Sequence, residues 1–119
     1  MEHMAYLRNE REIVEMDYPL SQVWDALGKA VTNLEWTADE AKEEIHQMKV
    51  KTKANFMAYP STLTINVIVV NEKTTRVTVL AETPVTTITG IVDFGRTRER
   101  IDSLLLALVK LLKAEKASS

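Results

Sequence analysis

Two stretches of strict two-residue alternation constrain this chain more than anything else in it. From Ile45 to Ala54, one face carries His46, Met48, Val50, Thr52 and Ala54, and the other Gln47, Lys49, Lys51 and Lys53. From Ser61 to Val70 the pattern repeats with Leu63, Ile65, Val67 and Val69, and Arg76 to Thr83 returns after a turn over Asn71 to Thr75. Such alternation marks antiparallel strands with one face buried and the other in water. If Val70 opposes Arg76, the pairs Val69/Val77, Val67/Val79 and Ile65/Ala81 meet on the buried face. A one-residue slip would turn all of them outward.

A sheet with one apolar face must be covered, and the chain supplies two covers. Leu20, Val23, Trp24, Leu27, Val31 and Leu34 recur at spacings of three and four, with Pro19 or Ser21 suited to open the helix. Gly28 sits at the margin of that apolar face, tolerable if a strand backbone passes close by. Arg96 to Lys113 reads as a long helix with Ile101, Leu104, Leu105, Leu108, Leu111 and Leu112 on one broad face. Arg11 to Asp17 reads as a short strand and Trp36 to Ala41 as another, followed by an acidic turn around Lys42, Glu43 and Glu44. Pro84 should end or bend its strand, and Val85 to Val92 is either a final strand or an extended crossing. The expected fold is two-layer α+β: strand, helix, four or five antiparallel strands and a long C-terminal helix, with both helices on one face of the sheet. Residues 1–10 are a polar lead-in, 11–113 one domain and 114–119 a polar tail.

Composition narrows the chemistry. At 119 residues the chain suits one domain, and with no cysteine it has no disulfide, thiolate metal site or cysteine nucleophile. Fifteen basic against seventeen acidic residues leave a formal charge of −2, with no global pull toward nucleic acid or membrane. The most apolar run, Leu104 to Leu112, is interrupted by Lys110 and is about half of what a bilayer span needs. No signal peptide is recognisable, so a cytoplasmic location is expected.

The order strand, helix, strands, long helix resembles a pared-down helix-grip fold of the START/Bet v 1 type, or the related TATA-binding-protein-like topology. The segment Gly90-Ile91-Val92-Asp93-Phe94-Gly95-Arg96-Thr97-Arg98-Glu99-Arg100-Ile101 is similar to a Gly-x-x-Asp-apolar-Gly-x-Asn-x-x-Arg-Ile motif. That motif precedes the last helix in a domain family of unknown function; Thr97 stands where its asparagine usually is. The resemblance implies a fold and no particular activity.

Recognisable catalytic sets are missing. Asp93-Phe94-Gly95 matches the kinase metal-binding triplet in letters alone, and Asp93 reads better as a cap for the last helix. His3 and His46 have no second histidine at ligand spacing, and Asp39, Glu40, Glu43 and Glu44 lack a calcium-loop pattern, so no metal is expected. His46 reads as a half-buried, satisfied histidine. No cofactor motif appears, and the chain is expected not to be an enzyme.

Three surfaces remain. Lys49, Lys51 and Lys53, with Arg76 two strands along, make a basic sheet face that would track phosphates, yet no aromatic platform accompanies it. Trp36, His46, Met48, Phe56, Tyr59 and Leu63 would line an apolar ligand cavity under the last helix, or simply fill the core. Ile68, Val70 and Leu80 point outward from the sheet, and Leu106 stands off the apolar face of the last helix beside Asp102 and Lys113. The reading favoured is a non-enzymatic interaction domain that self-associates as a homodimer through the sheet face or binds a protein partner. A small apolar ligand is the alternative, and nucleic acid is not expected.

Overall fold

The computed structural model describes residues 6–53, 60–85 and 96–118. In chain order the elements are β1 (Tyr6–Met16), α1 (Leu20–Asn33), β2 (Thr37–Lys42), β3 (Gln47–Lys51), β4 (Thr62–Asn71), β5 (Thr74–Val85) and α2 (Arg96–Ser118). The five strands form one antiparallel sheet in the order β1-β5-β4-β3-β2. Both helices pack on one face of it and against each other, the expected two-layer α+β arrangement. Val23, Leu27 and Val31 of α1 and Ile101, Leu104, Leu108 and Leu112 of α2 close over Met48, Val50, Leu63, Ile65, Val67, Val77, Val79 and Ala81. Each large side chain so buried contributes about 1.5–3 kcal/mol relative to exposure.

The β4–β5 register differs from expectation by two residues. Ile65 pairs with Val79, Val67 with Val77 and Leu63 with Ala81. The hairpin closes over two residues, Glu72 and Lys73, with the Asn71 side chain accepting the Lys73 amide at 2.9 Å, and Val70 is bulged out. A tight turn plus a bulge replaces the five-residue turn. A two-residue slip preserves side-chain parity, so the buried set is unchanged except at Val69. Val69, expected inside, is 54% exposed in the last paired row before the bulge.

Other boundaries move as well. β1 begins at Tyr6, inside the segment read as a lead-in, because its whole length pairs with β5. Pro84 does not end β5, which continues to Val85. Beyond Glu82 the described register pairs β5 with β1 alone, so the missing proline N–H faces a side with no ladder partner. α2 runs to Ser118, past Lys113. Gly28 has nothing within 4 Å of where a side chain would start, so no strand backbone approaches it. Phe56 and Tyr59, the undecided stretch from residue 86 onward and the Gly90–Gly95 part of the motif lie outside the described residues.

The end of α1 has a specific lock. The Trp36 amide bonds to the Val31 carbonyl at 3.1 Å and the Glu35 amide to Thr32 at 3.0 Å, with Glu35 at φ 61°. This is a Schellman cap, whose left-handed position usually holds glycine. Glu35 is exposed, and its ion pair with Lys53, at 3.3 Å, has both side chains largely in water. Glu35→Gly is therefore expected to raise the urea midpoint, by up to about 1 kcal/mol of stability. An unchanged or lower midpoint would contradict the account.

Candidate functional site

The sheet's covered face is organised in rows across the strands. Val67 and Val77 form one row; Met48, Ile65 and Val79 the next; Val50, Leu63 and Ala81 the third. One step further the chemistry changes. Thr52, one residue past β3, Ser61, one residue before β4, and Thr83 of β5 continue the same phase, joined by the Thr52 amide to the Ser61 carbonyl at 2.9 Å. They are 5%, 0% and 0% exposed.

The first turns of α2 complete this row. Thr97 lies four residues before Ile101 and seven before Leu104, on the buried face of the helix, and is itself buried. Its hydroxyl is 2.9 Å from that of Thr83, and the Thr83 hydroxyl is hydrogen-bonded to Ser61. Arg100 donates from its guanidinium to Ser61 Oγ, and the Ser61 amide donates to Thr52 Oγ1 at 2.8 Å. Four hydroxyls and a guanidinium from the ends of β3 and β4, from β5 and from α2 thus converge at one end of an otherwise apolar interior. Burial of such groups is tolerated only because they satisfy one another.

Beside this row the inner face of β1 is charged. Glu12 is level with buried Val79 and accepts a hydrogen bond from Arg98, which also lies 3.3 Å from Asp102. The Glu12 bond is the main influence raising the Arg98 guanidinium above its ordinary range; desolvation opposes it, and the charges of Glu12, Asp102 and Glu10 add to it.

The candidate ligand residues do not gather in one place. Met48 and Leu63 are buried in the middle rows, among the core side chains. Trp36 is partly buried, one step beyond the Thr37–Lys51 pair and so level with Thr52. His46 lies at the other end of β3, about 20 Å away by strand rise. It belongs to the turn before the strand, at φ 50°, with its ring 5.3 Å from Trp24 in an edge-to-face contact. The ring is half-buried there.

On the open face, Lys49 and Lys51 are exposed, with Glu40 opposite Lys49. Arg76 pairs with Glu15 at 3.0 Å. Ile68 (47% exposed) stands in the row of Arg76 and Glu15, while half-buried Leu80 is two rows away; the row between holds Asn66, Thr78 and exposed Ile13. Val70 is the bulged residue, and Leu106, 57% exposed, projects from the helix layer. Among the described residues no group of three or more His, Asp or Glu is placed to hold a metal. No described helix is long and apolar enough to cross a membrane.

Sequence reasoning put Thr52 on the inner face but passed over Ser61, Thr83, Thr97 and Arg100. The signal was available: Ser61 and Thr83 share the phase of Leu63 and Ala81, and Thr97 that of Ile101.

No protein-family model matches this chain, and no curated protein does. Solved structures do match. Norcoclaurine synthase from Thalictrum flavum in complex with dopamine and hydroxybenzaldehyde is 12% identical, with a TM-score of 0.67 over 92% of this chain and 88% of that one. The Zhui aromatase/cyclase from Streptomyces sp. R1128 is 11% identical, with a TM-score of 0.61 over 92% and 93%. Ara h 8.0201 is 7% identical, with a TM-score of 0.63 over 91% and 99%. The fold is the Bet v 1-like helix-grip, the first of the two topologies the sequence resembles.

Proposed function

We propose that this chain binds a small, largely apolar molecule between the sheet and α2, with the polar part of that molecule at the hydroxyl row. The observation that carries this reading is the change from apolar rows to a row of buried hydroxyls joined by the half-buried Arg100 guanidinium. An interior serving only stability is most simply apolar throughout. Apolar walls with a few convergent polar groups are what small-molecule sites are made of. The fold is shared with a synthase whose structure holds dopamine and hydroxybenzaldehyde, which supports the reading without extending that chemistry to this chain.

Ligand binding stands ahead of self-association here. On the open face Ile68, Ile13 and half-buried Leu80 stand in three successive rows interleaved with Asn66, Thr78 and the Glu15–Arg76 ion pair, which makes a mixed surface and not a contiguous apolar one. The basic face has acidic side chains interleaved with it, which argues against phosphate tracking.

Melting the full chain with 2-naphthol, dodecanol and their carboxylic counterparts tests the reading. A ligand at a hundredfold excess over its Kd stabilises by about 2.7 kcal/mol, a readily measured rise in Tm. Ala81→Leu adds volume directly beside the hydroxyl row and is expected to weaken that binding. The absence of any shift across neutral and acidic probes alike would overturn the reading.

A further inference from the structure

Within the row at the end of the interior, Thr52 stands apart. Ser61, Thr83 and Thr97 are bonded to one another, and Thr97 and Arg100 each have a partner beyond the row. Thr52 takes part as an acceptor: its Oγ1 receives the Ser61 amide at 2.8 Å. A threonine hydroxyl also carries a proton to donate. Among the described residues that proton has no acceptor. Thr52 is 5% exposed, so bulk water is largely kept from it. A buried donor without a partner is costly to keep. It lies on the covered face one step beyond Val50, with partly buried Trp36 level with it on the β2 side.

We infer that the Thr52 hydroxyl donates to the polar part of the ligand, and that this part is a neutral acceptor, a carbonyl oxygen on an aromatic or aliphatic skeleton. This rests on the ligand-binding reading above. An oxygen with lone pairs and no charge matches a lone neutral donor. A carboxylate has lone pairs too, but out of water it also needs a partner charge. Both guanidinia near the row are engaged, Arg98 by Glu12 and Asp102, Arg100 by Ser61 and a further partner. Glu10 and Glu12, on the inner face of β1, repel a second anion. An ammonium has only donors to offer to Thr52. Glu10, the carboxylate level with Ala81, is exposed, and water competes for it.

Calorimetric titration of the full chain with 2-acetonaphthone, 2-naphthoate and 2-naphthylmethylamine, and with 2-tridecanone, dodecanoate and dodecylamine, decides it. In at least one series the ketone is expected to bind about tenfold or more tighter than the acid and the amine. Thr52→Val keeps the shape and removes the donor. It is expected to weaken the ketone about two- to tenfold, the worth of one neutral hydrogen bond, with acid and amine little changed. Thr52→Ser keeps the hydroxyl and should retain the preference. Infrared difference spectra of the bound ketone add a readout that loosened packing would not move. The carbonyl stretch should lie below its value in hexane in the parent and in Thr52→Ser, and return toward that value in Thr52→Val. Circular dichroism and urea melts establish that the variants fold. If Thr52→Val does not fold, the parent's ratios and its carbonyl stretch still decide. A ketone no tighter than acid or amine in both series, an unshifted carbonyl stretch, or a ketone held equally well by folded Thr52→Val overturns the inference and leaves ligand binding standing. No binding by any of the six overturns both.

Discussion

Leu108→Ala is expected to lose about 2–5 kcal/mol of stability, the range for truncating a leucine in a core that collapses only partly. Leu108 is fully buried where α2 closes on the sheet and on α1. Each helix has one apolar face and the sheet has one, so a void there is bordered by elements already held in place by their other contacts. For 119 residues the whole net stability is roughly 6–18 kcal/mol, so the loss is a large share of it. Leu106→Ala, two positions away and 57% exposed, is the internal control and should change stability by no more than about 0.5 kcal/mol. Urea unfolding of the two variants reads the difference. Equal midpoints would mean that α2 does not pack by the face described.

The second large effect concerns the hydroxyl row. Thr83→Val preserves shape but removes the central hydroxyl, which bonds to Ser61 on one side and Thr97 on the other. Two buried hydroxyls each lose one hydrogen bond, and a loss of about 1–3 kcal/mol is expected, at about 0.5–1.5 kcal/mol for each bond. Replacing Ser61, Thr83 and Thr97 together by Ala, Val and Val should cost less than the sum of the three single changes. The triple variant removes stranded groups along with the bonds. Strict additivity across that set would show that the hydroxyls do not act as a network.

How much of this was legible depended on whether a segment's pattern was set by burial alone. α1 and the face of α2 were plain, because their leucines and valines answer only to the sheet beneath them. The parity of β4 and β5 was plain for the same reason, while their register was not. A five-residue turn and a two-residue turn with a bulge bury the same side chains, and only the bonding of Asn71 to the Lys73 amide separates them. The start of β1 was hidden because Glu10 and Glu12 occupy positions level with Ala81 and Val79, where alternation calls for apolar residues. Glu12 is there because Arg98 reaches it from α2, a partner 86 residues away. The tail of α2 was hidden because the apolar spacing stops at Leu112, although Ala114, Glu115 and Lys116 are good helix formers. The candidate site was the least legible part. Serine and threonine in an apolar phase read as neutral until four elements bring their hydroxyls together.

The strand order has a consequence for how this sheet ends. Among the described strands, β1 and β2 are the two edges, and each offers a row of backbone donors and acceptors to any passing strand. Both are heavily charged. Arg8, Glu10, Arg11, Glu12 and Glu15 lie along β1, and Asp39, Glu40 and Lys42 crowd the six residues of β2. The interior strand β4 has no charged residue at all, and its Thr62–Val70 stretch is by itself the kind of β-branched segment that stacks into fibrils. Its position between β3 and β5 keeps it paired on both sides, while the outermost strands repel further chains. Residues that look wasted on a polar lead-in and an acidic loop therefore act as the margins that keep a sticky sheet from growing.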